Sequence, residues 1–190
     1  MARIEPLRPK AWPPQMREAL AGLTPPEPRH PNPISKDRPK AMNTLGTLAH
    51  HPALARAFFP FNGHVLLATT LSTRQREILI LRAAALRDCT YEWKQHVILG
   101  GDVGLDDKDV ARIAEGPDAP GWDPLEQALV RSVDELIGGG AITGETWAVL
   151  AESFDAQQFL DVIFTVGAYE TLAWMMRSFD LELDDDLRRA

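Results

Sequence analysis

The stretch from Asp88 to His96, DCTYEWKQH, contains the only cysteine of this 190-residue chain, together with a carboxylate and an imidazole. Cys89, Glu92 and His96 follow one another at spacings of three and four residues. An α-helix turns by about 100° per residue, so these three side chains would project to one side. A thiol there could do redox chemistry, whereas the carboxylate and the imidazole could exchange protons. The stretch is therefore a candidate reaction site with two kinds of chemistry open to it.

Each of these residues also has a purely structural interpretation. A glutamate four residues before a histidine is commonly a surface pair, which would account for Glu92 and His96. A single cysteine is often a small buried hydrophobe, which would account for Cys89. Tyr91 and Trp93 flank the carboxylate and are candidates either for contact with a substrate or for core packing.

Glu77 adds a second carboxylate one helix earlier, next to the apolar run ILIL. A carboxylate among buried residues has either a partner or a raised pKa, which makes Glu77 a candidate catalytic group. The alternative is a surface ion pair with Arg74 or Arg82.

Asp88 could cap the helix of the candidate site. Cys89 would then lie in the first helical turn, where the helix dipole favours a thiolate while the charge of Asp88 opposes it.

The elements that must position these residues read as helices throughout, and no alternating β-branched run indicates a strand. Residues typical of helix N-caps recur along the chain, and Ser72 with Gln75 forms a capping box. We predict an all-α protein of seven to eight helices, with PALARAFFPFNGHVLLATT broken into two pieces at Pro60. Further predicted helix starts are Asp106, Asp123, Thr143 and Asp155.

The first 39 residues hold ten of the fifteen prolines and predict an extended arm with one short helix at QMREALAGL. We expect residues 1–39 to pack on a neighbouring subunit, residues 40–183 to form a single all-α domain, and residues 184–190 to be a solvated tail.

The composition of the chain argues against several kinds of partner and compartment. The net charge of −7 argues against nucleic acid or an anionic membrane as a partner. The apolar stretch FLDVIFTVGAYETLAWMM carries Asp161 and Glu170, so we interpret it as a buried core helix. One cysteine suggests no oxidising compartment, and we expect a cytoplasmic protein. His50, His51 and His64 have no carboxylate at ligand spacing, so no metal site is predicted.

The segment LSTRQREILILRAAALRDCTYEWKQHVILGGDVGLDDKDVARIAEGP resembles the carboxymuconolactone decarboxylase family, which also contains the alkylhydroperoxidase-D-like (AhpD-like) proteins. Glu77, Cys89 and His96 fall at the family's motif positions, and the likeness extends over residues 40–183. The resemblance implies an AhpD-like helical fold, a homo-oligomer of three or six subunits, and a small-molecule substrate. It also implies that neither a cofactor nor a metal is used.

The chain departs from the peroxidase branch of that family at one position. That branch has Cys-x-x-Cys, whereas this chain has Glu92 in place of the second thiol, so a self-contained dithiol cycle is excluded. Proton chemistry remains, for which histidine is suited near neutral pH. We predict His96 as proton donor, Glu77 as its orienting partner, Glu92 as second acid or base, and Cys89 as pocket wall or auxiliary donor.

The predicted activity is decarboxylation or a related proton transfer on a small oxidised carboxylic acid or lactone, in catabolism. An anionic substrate would need a cation, for which Lys94, Arg74 and Arg82 are candidates. Two alternatives stay open: a thiol-dependent peroxidase that uses Cys89 with an external thiol, and a non-catalytic ligand-binding protein.

Overall fold

A computed structural model describes residues 2–33 and 38–188, and over these residues it contains helices and no strand, which confirms the all-α class. It has ten α-helices there rather than seven or eight, because α2 and α10 are too short for a periodic apolar pattern to predict them. The helices are α1 Pro14–Ala21, α2 Met42–Leu48, α3 Pro52–Gly63, α4 Thr73–Leu86, α5 Thr90–Asp102, α6 Asp107–Glu115, α7 Pro124–Gly139, α8 Gly144–Ala151, α9 Ala156–Ser178 and α10 Asp185–Arg188.

The chain forms two compact units, one of residues 1–69 with 175–190 and the other of residues 70–174. In the first unit, the short helix predicted in the proline-rich arm is confirmed as α1, and it packs against α3 of its own chain. Contact between the arm and a neighbouring subunit stays a prediction, as do the domain boundaries at residues 39 and 183. The core of this unit is formed by Met16, Ala19, Leu48, Ala49, Ala55 and Phe59.

The predicted break at Pro60 is wrong, because α3 continues through Pro60 to Gly63 and a single π-helical turn, His64–Ala68, follows it. The proline ring lies over Gly22, where an added Cβ would be only 3.0 Å from the ring carbons. A glycine opposite the ring therefore leaves the room that an uninterrupted α3 requires.

The end of the chain differs from the solvated tail we expected. Residues 185–188 form α10, in which Leu187 is fully buried. Asp184 is also buried and accepts a hydrogen bond from the backbone N–H of Asn43 at 2.9 Å. The burial of Leu187 and the hydrogen bond between Asp184 and Asn43 hold this segment in place.

The second unit is built around α4, whose residues from Arg76 to Ala84 are all buried. The predicted capping box of Ser72 and Gln75 is confirmed and fixes the start of this helix. α4 packs against α5, α6 and α7, so the helix is enclosed on several sides. Charged side chains on α4 must therefore find partners inside the protein. The other four predicted caps are also confirmed, at Asp106, Asp123, Thr143 and Asp155.

α9 is the one helix in the described residues that is long and apolar enough to cross a membrane, and 61% of its most apolar window is buried within the protein. This burial fits the predicted core helix. Its two buried carboxylates have partners: Asp161 accepts hydrogen bonds from the N–H and hydroxyl of Thr70, both at 2.6 Å, and Glu170 pairs with Arg87. The cytoplasmic location stays a prediction.

Candidate active site

α4 and α5 bring Glu77 and His96 into direct contact, although nineteen residues separate them in the chain. The Nδ1 atom of His96 lies 2.7 Å from Oε2 of Glu77, and both side chains are buried. The surface pairing of Glu92 with His96 that we had considered is therefore wrong, because the imidazole turns inward to the carboxylate on α4.

Arg76 is the third member of this buried chain. Its Nε and Nη2 atoms donate to Oε1 of Glu77 at 3.0 and 2.8 Å. Burial by itself would raise the pKa of Glu77, but His96 and Arg76 outweigh it and hold that pKa below the ordinary carboxyl value. Glu77 is thus ionised and can only accept, so Nδ1 of His96 is the donor in their hydrogen bond. Nε2 is the imidazole nitrogen that does not contact Glu77, and His96 is only 4% exposed.

The predicted alternative partners of Glu77 are engaged elsewhere. Arg74 donates to Glu126 at 2.6 Å and to Asp109 at 3.0 Å. Arg82 donates to Asp134 at 2.6 Å and to two backbone carbonyls at the end of α6. The pairing of Glu77 with either arginine is therefore wrong.

Glu92 lies on α5 one turn before His96 and is also buried, with only 1% of its surface exposed. Burial raises its pKa to about 8, and the negative charge of Glu170 adds to the rise, while the nearby Cys89 thiol opposes it. No described donor meets ordinary hydrogen-bond geometry at either of its oxygens. Glu92 is therefore a neutral, proton-bearing acid at pH 7, in contrast to the ionised Glu77. Two carboxylates with pKa values pushed apart are typical of acid–base sites.

Cys89 is buried and stands at the N-cap position of α5, so the helix begins one residue later than an Asp88 cap would require. Asp88 instead has φ of +46°, a left-handed conformation in the tight turn between α4 and α5, which is why it does not cap. Burial raises the pKa of Cys89 to about 12, and the adjacent Glu92 contributes, although the N–H groups of Glu92 and Tyr91 oppose the rise. The thiolate that the predicted cap could have favoured is therefore disfavoured.

α9 supplies two side chains that the sequence did not assign to the site. The ring of Tyr169 meets the imidazole of His96 edge-on, with ring centroids 5.0 Å apart. Burial, with the charge of Glu77, raises the pKa of Tyr169 well above its ordinary value, so this wall of the site stays neutral. Glu170 accepts a hydrogen bond from Nε of Arg87 at 2.8 Å, and its negative charge raises the pKa of Glu92. In the sequence, only Glu170 stood out, as a carboxylate inside an apolar helix.

A cavity of about 330 Å³ opens beside Cys89, which is large enough for a small organic molecule. Trp93 and the exposed Lys94 line it, so one predicted substrate-contact residue and one predicted cation lie where a ligand could reach them. Tyr91, the other predicted contact, is buried and is not among the lining residues. The lining residues are Ala84, Ala85, Asp88, Cys89, Thr90, Trp93, Lys94 and Ala114.

The histidines outside the site have local structural partners. His50 Nε2 lies 3.0 Å from the carbonyl of Glu5, and His51 caps α3 by accepting from Leu54 N–H. Among the residues that the structure describes, no group of three or more His, Cys, Asp or Glu side chains is arranged to hold a metal ion.

Comparison with known proteins gives a family match and several structural matches. Residues 52–135, which include Glu77, Cys89, Glu92 and His96, match the model of the carboxymuconolactone decarboxylase family. This finding confirms the resemblance seen in the sequence. No curated protein matches the chain.

Solved structures share the fold at low sequence identity. The debrominase Bmp8, as a cysteine-to-alanine variant in complex with 2,3,4-tribromopyrrole, superposes with a TM-score of 0.76 at 14% identity, over 98% of this chain and 94% of that one. A protein of unknown function from Agrobacterium tumefaciens, suggested to be the antioxidant defence protein AhpD, gives 0.64 at 19% identity, over 72% and 94%. A peroxidase-related protein with an AhpD core from Ralstonia eutropha JMP134 gives 0.67 at 17% identity, over 85% and 95%. The predicted AhpD-like helical fold is thereby confirmed.

Proposed function

We propose that this chain, which matches the carboxymuconolactone decarboxylase family over residues 52–135, is a cofactor-independent acid–base enzyme. Its substrate would be a small oxidised carboxylic acid or lactone, and its reaction a decarboxylation or a related proton transfer. The observation that carries this proposal is the pair of buried carboxylates in opposite protonation states around His96, namely ionised Glu77 and neutral Glu92.

The ionised Glu77 holds the Nδ1–H group of His96 in a hydrogen bond. When the imidazole carries a second proton, Nδ1–H keeps its bond to Glu77 and Nε2–H becomes the transferable proton. Arg76 fixes the orientation of Glu77 through two hydrogen bonds. The chain therefore holds a proton donor in one orientation inside a site from which water is largely excluded.

In a decarboxylation, the bond between the carboxylate carbon and the adjacent carbon breaks, and the bonding electrons stay behind as an enolate while carbon dioxide leaves. His96 would then give the Nε2 proton to that carbon. Glu92, neutral at pH 7 and one turn away on the same helix, would act as the second acid. No external electron donor is needed, which is consistent with a chain that has one cysteine.

The cavity beside Cys89 suggests how such a substrate would be held. His96, Glu77 and Glu92 are not among its lining residues, so the proton from His96 would reach the substrate through Glu92 and Cys89. We expect a planar ring to lie against Trp93, with its carboxylate toward the ammonium group of Lys94. Cys89 would form the wall between the substrate and Glu92, in keeping with a neutral thiol.

The proposal is tested by supplying carboxymuconolactone, together with a panel of β-keto acids and unsaturated lactones, in deuterated buffer without thiols. We expect loss of carbon dioxide, or deuterium in the product, from the wild-type protein but not from His96→Ala. Gln95→Ala is the matched control, because it truncates the neighbouring buried side chain of the same helix. Equal turnover by His96→Ala and the wild type would refute the proposal.

A second candidate function is a thiol-dependent reduction at Cys89, favoured by the structural likeness to a debrominase over 98% of the chain. It would require an external thiol, since this chain has no second cysteine. Turnover of brominated pyrroles or peroxides that depends on added thiol and is abolished in Cys89→Ser would support this candidate instead.

A further inference from the structure

The cavity beside Cys89 has an apolar floor and a charged rim. Ala84 and Cys89 are the buried residues that line it, and Trp93 adds a half-buried aromatic wall. Two exposed side chains of opposite charge, Asp88 and Lys94, line the same cavity. A ligand that fills its volume of about 330 Å³ would therefore meet an apolar surface and, at its edges, one carboxylate and one ammonium group.

Both of these charges lack a partner in the described part of the chain. Within residues 2–33 and 38–188, no group donates a hydrogen bond to the Asp88 carboxylate, and no carboxylate forms an ion pair with Lys94. The two side chains do not pair with each other either, although they line one cavity. Arg87, the neighbour of Asp88 in the chain, pairs with Glu170 instead. Both charged groups on the rim are therefore available to a ligand.

The fold does not require a carboxylate at position 88. Asp88 has φ of +46°, in the left-handed region that glycine adopts without penalty and an L-residue does not. Its side chain does not cap α5, because Cys89 is the N-cap residue of that helix. A strained residue whose side chain has no structural partner is typical of a binding site.

We propose that Asp88 and Lys94 select a planar acid that also carries a hydrogen-bond donor, such as a hydroxylated aromatic acid. Lys94 pairs with the carboxylate of the ligand, Trp93 covers its ring, and Asp88 accepts a hydrogen bond from its hydroxyl or ring N–H group. An acid without a donor would leave Asp88 beside a negative charge with no compensating hydrogen bond, so the cavity discriminates against it. This inference names a substrate class for the proposed function and rests on it for placing the substrate beside Cys89.

Isothermal titration calorimetry with four aromatic acids tests this selection without turnover. Benzoate has no donor, meta- and para-hydroxybenzoate each have one, and para-methoxybenzoate keeps the oxygen but lacks its proton. We expect the better of the two hydroxybenzoates to bind the wild type at least about tenfold more tightly than benzoate or para-methoxybenzoate. Equal affinities for all of these acids, or no binding of any, would overturn the proposal.

Asp88→Gly separates recognition from folding, because glycine accepts the same φ while the carboxylate is removed. We expect this variant to melt at or above the wild-type temperature and to bind hydroxybenzoate no more tightly than benzoate. Asp180→Gly is the matched control, since Asp180 is also an exposed aspartate with a positive φ, of +49°, but does not line the cavity. The control should keep the wild-type preference. A preference that survives in Asp88→Gly, or a variant that no longer folds, would overturn the selective role of Asp88.

Lys94→Met tests the other half of the rim. It should weaken the binding of every acid by about tenfold and leave the preference for hydroxybenzoate intact, because all four acids share the carboxylate. Lys108→Met, at an exposed lysine of α6 outside the cavity, should change neither quantity. Unchanged affinities in Lys94→Met would contradict the proposal. Selective binding without turnover of any substrate would refute only the proposed function, whereas turnover with unselective binding would refute only this inference.

Discussion

Replacing the buried acid Glu92 by glutamine should stabilise the protein, and by an amount that grows with pH. Glu92 has a folded-state pKa of about 8 against a reference value of 4.5. Between these two values the unfolded chain has released the proton while the folded chain still holds it, so the free energy of unfolding falls as pH rises. The loss is about 1.4 kcal/mol per pH unit, hence about 3 kcal/mol at pH 7. It levels off at about 4 kcal/mol near pH 8, where half of the folded molecules have also released the proton.

Glutamine resembles the neutral form of Glu92 in shape and does not titrate, so Glu92→Gln should match the wild type near pH 4.5 and exceed its stability increasingly up to pH 8. Urea unfolding, followed by circular dichroism at equal protein concentration, measures the difference at each pH. Glu135→Gln is the control: burial raises the pKa of Glu135, but hydrogen bonds from Thr143 and Thr146 bring it below the ordinary value. The stability that ionised Glu135 contributes is fully present above its unfolded-state pKa. The difference in unfolding free energy between Glu135→Gln and the wild type should therefore stay constant from pH 5 to 8. A constant difference for Glu92→Gln as well would refute a neutral Glu92.

Three further outcomes follow from the site. Arg76→Met should cost about 3–5 kcal/mol of unfolding free energy by leaving the charge of Glu77 buried, and adding Glu77→Gln should recover much of the lost melting temperature. Native Cys89 should react with iodoacetamide at pH 7.5 roughly a thousandfold more slowly than free cysteine, because its pKa is about 12, and rapid labelling would contradict this. Lys94→Met should raise KM for an anionic substrate about tenfold with kcat nearly unchanged, and an equal loss in both would contradict a binding role.

The helices were predictable because their start signals are local. Ser72 and Asp106 each satisfy the N–H groups of their own first turn, so three or four residues contain the whole signal. Pro60 shows the limit of local signals: whether a proline breaks a helix depends on what it packs against, and the Gly22 opposite it lies 38 residues away in sequence.

The candidate site was predictable only in part, because its contacts join residues that are distant in the sequence. Glu77 and His96 lie on successive helices, and their identity came from a resemblance that spans both. Arg76 could not be recognised as the partner of Glu77, because the side chains of adjacent helical residues project about 100° apart and are not expected to pair. Tyr169 comes from a helix more than seventy residues later, and no spacing rule reaches that far.

The central claim is that His96 and Glu77 transfer a proton as one unit, and the most direct test is turnover per folded protein in a double-mutant cycle. His96→Ala alone should lower kcat by roughly 10²–10⁴-fold with little change in substrate binding, since a positioned acid acts chiefly in the transition state. Glu77→Gln should also be strongly impaired, and the double variant should be hardly worse than His96→Ala, because members of one relay fail together. Fully additive losses, or a folded His96→Ala protein with normal turnover, would contradict the account.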